Sequence, residues 1–479
     1  LRIFYLTQPR PVLAGGLFML RDYQTEDLGK VSDALKQGAQ RVLFEASVGY
    51  GKSVLIEAMA EAYSKTNRRV WVLSNRSSII NQLRKRAAHL PGVQVMTVQA
   101  ADRRLAELAA NPAALVLIDE VHMGGSAAQY GRVMACAPAA RVIAFTGTPS
   151  PQNFETFPRH IEGRSSRWLT ERGFLSPLRY FTPNPLDMRG VKVRNGEFDE
   201  AQVMAILEEG KIFGNSIEAY RTYGLDVPTL GFCVNVKHAI DTAERFRNAG
   251  HACEVITGKD SERAMAYKIA ALSDGGLAVS VDKVSAGFDL PHLGVIQSMR
   301  PTASKRTWKQ QLGRAARIAP GKDFGLVIDQ VGNSLLHGTL TQPTNWRAGG
   351  GKRTWAADDS HTEEGQALSV RQCRACVAVF EAGPSMCPHC GADLARDTRI
   401  SRAESVRLEE MAAEDIERKQ REAAALRKRQ GQTIAQMRAY LGHDTAVKNM
   451  RKRYDRAHAS GDEMVAKFAH EQLRQARAL

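Results

Sequence analysis

The chain has 479 residues, and at roughly 100–200 residues per domain that length implies about three domains rather than one compact unit. A hydrophobic fraction of 43% and a charged fraction of 24% exclude a chain that is mostly disordered, collagen-like or membrane-embedded. Lys plus Arg number 66 against 51 Asp plus Glu, a formal charge of +15 that favours a polyanionic partner, with nucleic acid the first candidate.

The apolar run Pro11 to Leu20 is broken by Gly15 and Gly16 and falls short of the ~18 residues a spanning helix needs, so no membrane or export segment is expected there. Residues 1–18, just upstream of Met19, read as an extension without a structural role. From Gln40 to Gln330 short β-branched runs alternate with longer helical stretches, the rhythm of βαβ units building parallel sheets; the fold class is α/β. Strands are expected at Arg41 to Ser47, Arg69 to Asn75, Val93 to Gln99, Ala114 to His122 and Arg141 to Thr146, enough for one complete sheet.

After the first strand comes Ala46-Ser47-Val48-Gly49-Tyr50-Gly51-Lys52-Ser53, followed by a helical segment, the context of a phosphate-binding loop. Gly49 and Gly51 let backbone N–H groups approach a phosphate, Lys52 reaches the β- and γ-phosphates, and the Ser53 hydroxyl can ligate Mg²⁺. Asp119-Glu120-Val121-His122 ends the fourth strand, at the sheet edge where ligands bind. There Asp119 would hold Mg²⁺, Glu120 would polarise the attacking water, and His122 would lie between the nucleotide and Thr146-Gly147-Thr148-Pro149. Together these residues specify metal-assisted phosphoanhydride hydrolysis.

Pro149 to Pro185 breaks the rhythm and marks a boundary, and Asn195 to Phe198 reads as a hairpin or loop. Strands resume at Thr229 to Asn235, Ala252 to Thr257, Gly276 to Val281, Gly294 to Met299 and Phe324 to Gln330, a second sheet of similar size. Gln310-Gln311-Leu312-Gly313-Arg314-Ala315-Ala316-Arg317 puts two Arg three residues apart on one helix face, a surface ion-pair arrangement or a pair of fingers for a γ-phosphate. Arg347 to Gln366 is an exposed linker by composition. Of seven cysteines, Cys136, Cys233 and Cys253 are scattered, whereas Cys373, Cys376, Cys387 and Cys390 form two knuckles at tetrahedral Zn²⁺ spacing, which points to a reducing compartment and a structural metal; His389 reads as a knuckle residue rather than a ligand. Ser401 to Gln430 is rich in Ala, Glu, Arg and Lys without Pro or Gly, a long solvated helix opening a basic helical tail. The expected units are therefore 1–18, 19–175, 176–345, 346–366, 367–396 and 397–479.

These blocks in this order resemble the superfamily 2 helicases over roughly Leu20 to Asn333. The resemblance implies two tandem RecA-like lobes, ATP and Mg²⁺ as ligands, and a strand of nucleic acid across both lobes. In family terms Gln24, in Leu20-Arg21-Asp22-Tyr23-Gln24, reads the adenine; Ala46 to Ser53 matches A-x-x-G-x-G-K-S/T; and Asp119 to His122 is the DExH form. Thr146 to Pro149 resembles motif III, with Gly147 where Ala is commoner. Val284 to Pro291 resembles motif V, with Ser285 toward nucleic acid and Asp289 near the ribose, and Gln310, Arg314 and Arg317 surround the γ-phosphate. Asn75 and Arg76, Thr97 and Gln99, and Asn235 stand where motifs Ia, Ib and IV contact the phosphate–sugar backbone; these positions also suit ordinary strand ends. With Val327-Ile328-Asp329-Gln330-Val331-Gly332-Asn333, His337-Gly338 and the cysteine knuckles added, the chain resembles bacterial RadD-type DNA-repair helicases and their phage relatives. That implies a DNA-directed ATPase in the cytoplasm of a bacterial or phage-infected cell. An RNA helicase, or a translocating subunit that does not separate strands, shares the same motifs, and the tail is open to a protein partner.

Overall fold

The computed structural model describes residues 20–347 and 370–394, apart from 76–79, 81–82, 85–86, 122–126, 183–185, 187, 189, 195, 210–211, 225, 274 and 282–289. The extension 1–18, most of the linker, the helical tail, and the candidates Arg76, His122, Ser285 and Asp289 lie outside those residues.

Six strands, β1 (Arg41–Glu45), β2 (Val70–Ser74), β3 (Val93–Thr97), β4 (Leu115–Asp119), β5 (Arg141–Thr146) and β6 (Arg159–Glu162), form a sheet in the order β3-β2-β4-β5-β1-β6 with every neighbour parallel. β2 and β4 are buried along their whole length, which is why Val-Trp-Val-Leu and Leu-Val-Leu-Ile run apolar without alternation. β1 and β4 stop short of their expected ends because the chain leaves the sheet there to make the phosphate loop and the acidic turn. β6 lies inside the Pro- and aromatic-rich segment, where no strand is expected from sequence.

The second sheet comprises β7 (Leu178–Phe181), β10 (Thr229–Cys233), β11 (Cys253–Ile256), β12 (Leu277–Val281), β13 (Val295–Ser298), β14 (Gly325–Asp329), β15 (Val370–Gln372) and β16 (Ala378–Glu381) in the order β11-β12-β10-β13-β14-β7-β16-β15. Its first six strands are parallel, while β16 and β15 join antiparallel. The cysteine module is thus an extension of the second lobe's sheet. A separate hairpin, β8 (Val193–Arg194) with β9 (Glu197–Phe198), falls where a hairpin or loop is expected.

These are two tandem RecA-like lobes, and one hydrophobic cluster crosses between them: Phe44, Tyr50, Leu55 and Leu175 pack in the same group as Trp308, Leu312 and Ala316. Trp308 and Leu312 lie on the helix Lys305–Ala315, which Ser304 caps by accepting from Thr307 N at 3.2 Å. At its other end Ser176, between the lobes, donates its N–H to Ala316 O (2.7 Å) and its hydroxyl to Arg317 O (3.1 Å). No helix among the described residues is long and apolar enough to cross a membrane.

Candidate functional site: a nucleotide cleft between two lobes

Leaving β1, Ala46 donates its N–H to Thr146 O at 2.9 Å, which ties the phosphate loop to the end of β5. Gly49 (φ 81°) and Gly51 (φ 95°) adopt left-handed conformations, and Gly51 leads directly into the helix Lys52–Ser64. Helix N-terminus and glycine backbone together offer amide donors to a phosphate. Ser53 is on the first turn of the same helix, and Asp119 is almost wholly buried at the end of β4. Lys52 Nζ is paired with Glu120 Oε1 at 2.7 Å, and both side chains are largely buried. Glu120 has a φ of 51°, a conformation that favours glycine and costs on the order of 1–3 kcal/mol in other residues. That turn aims the carboxylate back at the phosphate loop.

Gly147 explains its own departure from the commoner Ala. A Cβ there would stand 2.8 Å from Ala46 O, 3.3 Å from Val48 N and 3.4 Å from Lys52 Nζ. Gln24 is fully buried, donating to Tyr50 O of the phosphate loop (3.1 Å) and accepting from Arg21 N (3.1 Å). Tyr23 donates to the same carbonyl at 3.0 Å, and the Tyr50 hydroxyl donates to Asp27 at 2.7 Å. Burial, with that bond to Asp27, pushes the Tyr50 phenol well above its usual pKa, so it remains a donor.

The second lobe reaches this site through the helix Lys305–Ala315. A Cβ on Gly313 would overlap Val48 Cγ1, so the helix backbone rests on the phosphate loop at that point. Gln310 and Arg314 are carried by this helix, with Arg317 just beyond it. Lys322 Nζ donates to Ala315 O (2.6 Å) and Arg317 O (2.8 Å) and closes the helix end; burial brings its pKa down to about 7. Sequence reasoning missed Arg306, one turn before Gln310. Its Nε is buried without an acceptor, burial lowers its pKa, and the Glu120 charge opposes that shift. The spacing 306, 310, 314, 317 along one helix face was the available signal.

Residues singled out near the end of the second lobe hold the loop that leads into this helix. Asn333 accepts from Thr302 N (3.0 Å) and donates to Ser298 Oγ (2.9 Å) and Arg300 O (2.8 Å). His337 Nε2 lies 2.8 Å from Thr302 O, and Asp329 accepts from Gly332 N, Ser334 N and Ser334 Oγ at 3.0, 2.6 and 2.7 Å. All three side chains are buried.

Of the nucleic-acid candidates, the structure brings two together: Gln99 Nε2 donates to Asn75 Oδ1 (3.4 Å), and Asn75 Nδ2 donates to the Tyr130 hydroxyl (2.8 Å). Burial raises Tyr130 to about 12, with the Asp119 charge adding to the shift, so this pair sits beside the acidic turn. Thr97 instead caps the helix Val98–Asp102, accepting from Ala100 N at 3.1 Å. Asn235, on the other lobe, caps the helix Val236–Asn248 through His238 N (2.7 Å) and donates to Glu200 Oε1 (2.6 Å).

The four clustered cysteines converge, all Sγ atoms lying within 4.8 Å of one another. Cys373 to Cys390 is 3.6 Å and Cys376 to Cys387 is 3.7 Å. Thiolates around one tetrahedral Zn²⁺ stand about 3.8 Å apart, so the donor set and its spacing suit that ion. His389 packs its ring against Phe181 with centroids 5.7 Å apart.

Two RecA-like lobes, a phosphate loop facing an acidic turn, and the helix Lys305–Ala315 seated on that loop are the arrangement that the resemblance to superfamily 2 helicases implies. Residues 22–150 match the AAA domain family. The chain is 27% identical over 383 residues to a 51.5 kDa protein of Lactococcus phage (isolate 7-9), covering 77% of this chain and 80% of that protein. It is 23% identical over 372 residues to a Saccharomyces cerevisiae protein provisionally named ATP-dependent helicase IRC3, covering 68% of this chain but only 53% of the yeast protein. In fold it is similar to a fragment provisionally assigned as the HsdR subunit of a type I restriction enzyme from Vibrio vulnificus YJ016, with TM-score 0.52, 17% identity, and coverage of 68% of this chain and 66% of the fragment.

Proposed function

We propose that this chain is an ATP-driven motor on DNA, coupling hydrolysis between its lobes to movement along one strand in repair, recombination or phage replication. The observation that carries the reading is the seating of the second lobe's arginine helix on the first lobe's phosphate loop through Gly313 and Val48. That contact makes the site a shared one, so closure of the lobes and hydrolysis are the same event.

ATP enters beside Gln24, its phosphates on the amides of Gly49, Gly51 and the helix start, and Lys52 leaves Glu120 for the β- and γ-phosphates. Ser53 and Asp119 would hold Mg²⁺, which neutralises phosphate charge when bound. Glu120, released from Lys52, takes the proton of the attacking water as its oxygen bonds to the γ-phosphorus and the β–γ bridge breaks. Gln310, Arg314 and Arg317 stabilise the charge on the transferring group. Asn75 and Gln99 on one lobe and Asn235 on the other supply backbone contacts to the strand, so affinity should fall steeply with salt and depend little on sequence. Cys373, Cys376, Cys387 and Cys390 would hold a structural Zn²⁺.

A second reading, a translocating subunit that moves without separating strands, is favoured by the fold likeness to the restriction-enzyme fragment. The test is steady-state ATPase without polynucleotide, then with single-stranded DNA, forked DNA and matched RNA, with Lys52→Ala as blank. Stimulation by DNA and not RNA is expected; equal or RNA-selective stimulation contradicts the DNA assignment. Fork unwinding separates the first reading from the second.

A further inference from the structure

The hairpin β8–β9 and the helix Glu200–Glu209 that follows it connect two places the nucleotide site leaves unconnected. Met188, Phe198, Val203 and Leu207 pack with Ala303, Val331 and Leu336, which follow β13 and β14 at their carboxyl ends. This is the sheet edge where ligands of parallel α/β lobes bind. From that seat Glu197 accepts from Thr302 Oγ1 (3.1 and 2.8 Å, one to each oxygen) and from Thr307 Oγ1 (3.2 Å), and stands 3.7 Å from the buried Arg300 guanidinium. Its carboxylate therefore grips the first turn of the arginine helix, an end that favours negative charge. Three residues further, the exposed Glu200 accepts from Asn235 Nδ2 at 2.6 Å. A phosphodiester oxygen is an anionic acceptor of the same kind, so it competes with Glu200 for that amide and repels its carboxylate.

We propose that this segment transmits polynucleotide binding to hydrolysis: a backbone phosphate takes Asn235 from Glu200, and the hairpin, through Glu197, resets the arginine helix. Glu197 is then a positioning residue for Arg314 and Arg317, and Glu200 is the anion that the strand displaces. The proposal rests on the polynucleotide reading above.

The experiment measures, on the full chain, binding of fluorescent single-stranded oligodeoxythymidylate and oligouridylate together with ATPase kinetics for wild type, Glu200→Ala, Glu197→Gln and Thr307→Val. Glu200→Ala is expected to bind the strand at least about fivefold tighter, the low end of ordinary coupling between sites. Glu197→Gln should leave strand affinity in place and lower polynucleotide-stimulated kcat about tenfold with KM for ATP within about twofold, because it disturbs the helix and not substrate binding. Thr307→Val removes a single partner of the same carboxylate and should give a smaller loss in the same direction, with the hairpin's own sequence unchanged. Unchanged or weaker strand binding by Glu200→Ala overturns the displacement step, since Glu200 would then only hold Asn235 in place. Equal loss of stimulated and unstimulated rates in Glu197→Gln and Thr307→Val overturns the positioning step. If wild type neither binds nor is stimulated by either strand, the polynucleotide reading itself fails.

Discussion

At the scale of single residues, two glycines set how closely neighbouring backbone approaches the phosphate loop. Gly147 and Gly313 each bring backbone against the phosphate loop, where a methyl group meets Ala46 O at 2.8 Å in one case and overlaps Val48 in the other. Gly313→Ala should lower turnover at least about tenfold while ATP affinity holds, because it moves the arginine helix and leaves the loop intact. Gly147→Ala should weaken both ATP affinity and turnover, because its clash falls on the loop backbone beside Lys52. ATP titrations paired with steady-state rates distinguish the two patterns, and full activity of either variant would contradict the packing. Glu120→Gln removes both the Lys52 partner and the base, so ATP binding should persist while turnover falls by roughly 10²–10⁴. That Lys52 and Glu120 stand together was legible in sequence because a phosphate loop and an acidic turn follow strands of one parallel sheet. The need for glycine at 147 was not, since it arises where two segments a hundred residues apart come together.

Among the elements, the helix after β10 carries a pH-dependent fastening. His238 is buried and its Nδ1 accepts from Val234 N at 3.2 Å, which requires the neutral ring. Burial takes its pKa from 6.5 down to about 4. Between those values the unfolded chain binds a proton that the folded chain does not, so stability falls as pH drops through this window, by up to about 1.4 kcal/mol per pH unit. Urea midpoints at pH 5 and pH 7 should converge in His238→Asn relative to wild type; an unchanged difference would assign the acid sensitivity elsewhere. The strands of the two sheets were readable from β-branched runs bounded by Gly, Pro and Asn. β6 and β7 were not, because each is four residues long in a Pro- and aromatic-rich stretch and gains its place from its sheet neighbours, β1 for the one and β14 with β16 for the other. Val327 to Asn333 and His337-Gly338 stood out in sequence as a family resemblance, and the part that Asn333 and His337 play in holding the loop before the arginine helix needed the hydrogen bonds to be seen.

Across the whole molecule the cysteine module ties the lobes together. β16 continues the second lobe's sheet against β7, its Phe380 packs with Phe181, and its Glu381 pairs with Arg167 of the first lobe at 2.7 Å. That exposed ion pair contributes little by itself, but the apolar contacts beside it belong to a segment too short for a core of its own, which a metal bound by the four cysteines would hold together. Chelation of the purified chain, or Cys373→Ser, should release about one zinc per chain and lower the melting temperature of the second lobe. Metal loss with an unchanged melting curve would separate the module from the fold. The convergence of the four cysteines was legible from spacing alone, whereas the module's place on the sheet edge followed from strand pairing with a segment nearly two hundred residues earlier.

The most direct measurement is the ATP dissociation constant and polynucleotide-stimulated turnover of Arg314→Ala beside wild type. A site shared by two lobes predicts ATP affinity within about threefold and turnover lower by roughly 10³ or more, since the guanidinium acts on charge that develops only in the transition state. Turnover close to wild type would show that the first lobe hydrolyses ATP by itself, and would contradict the account.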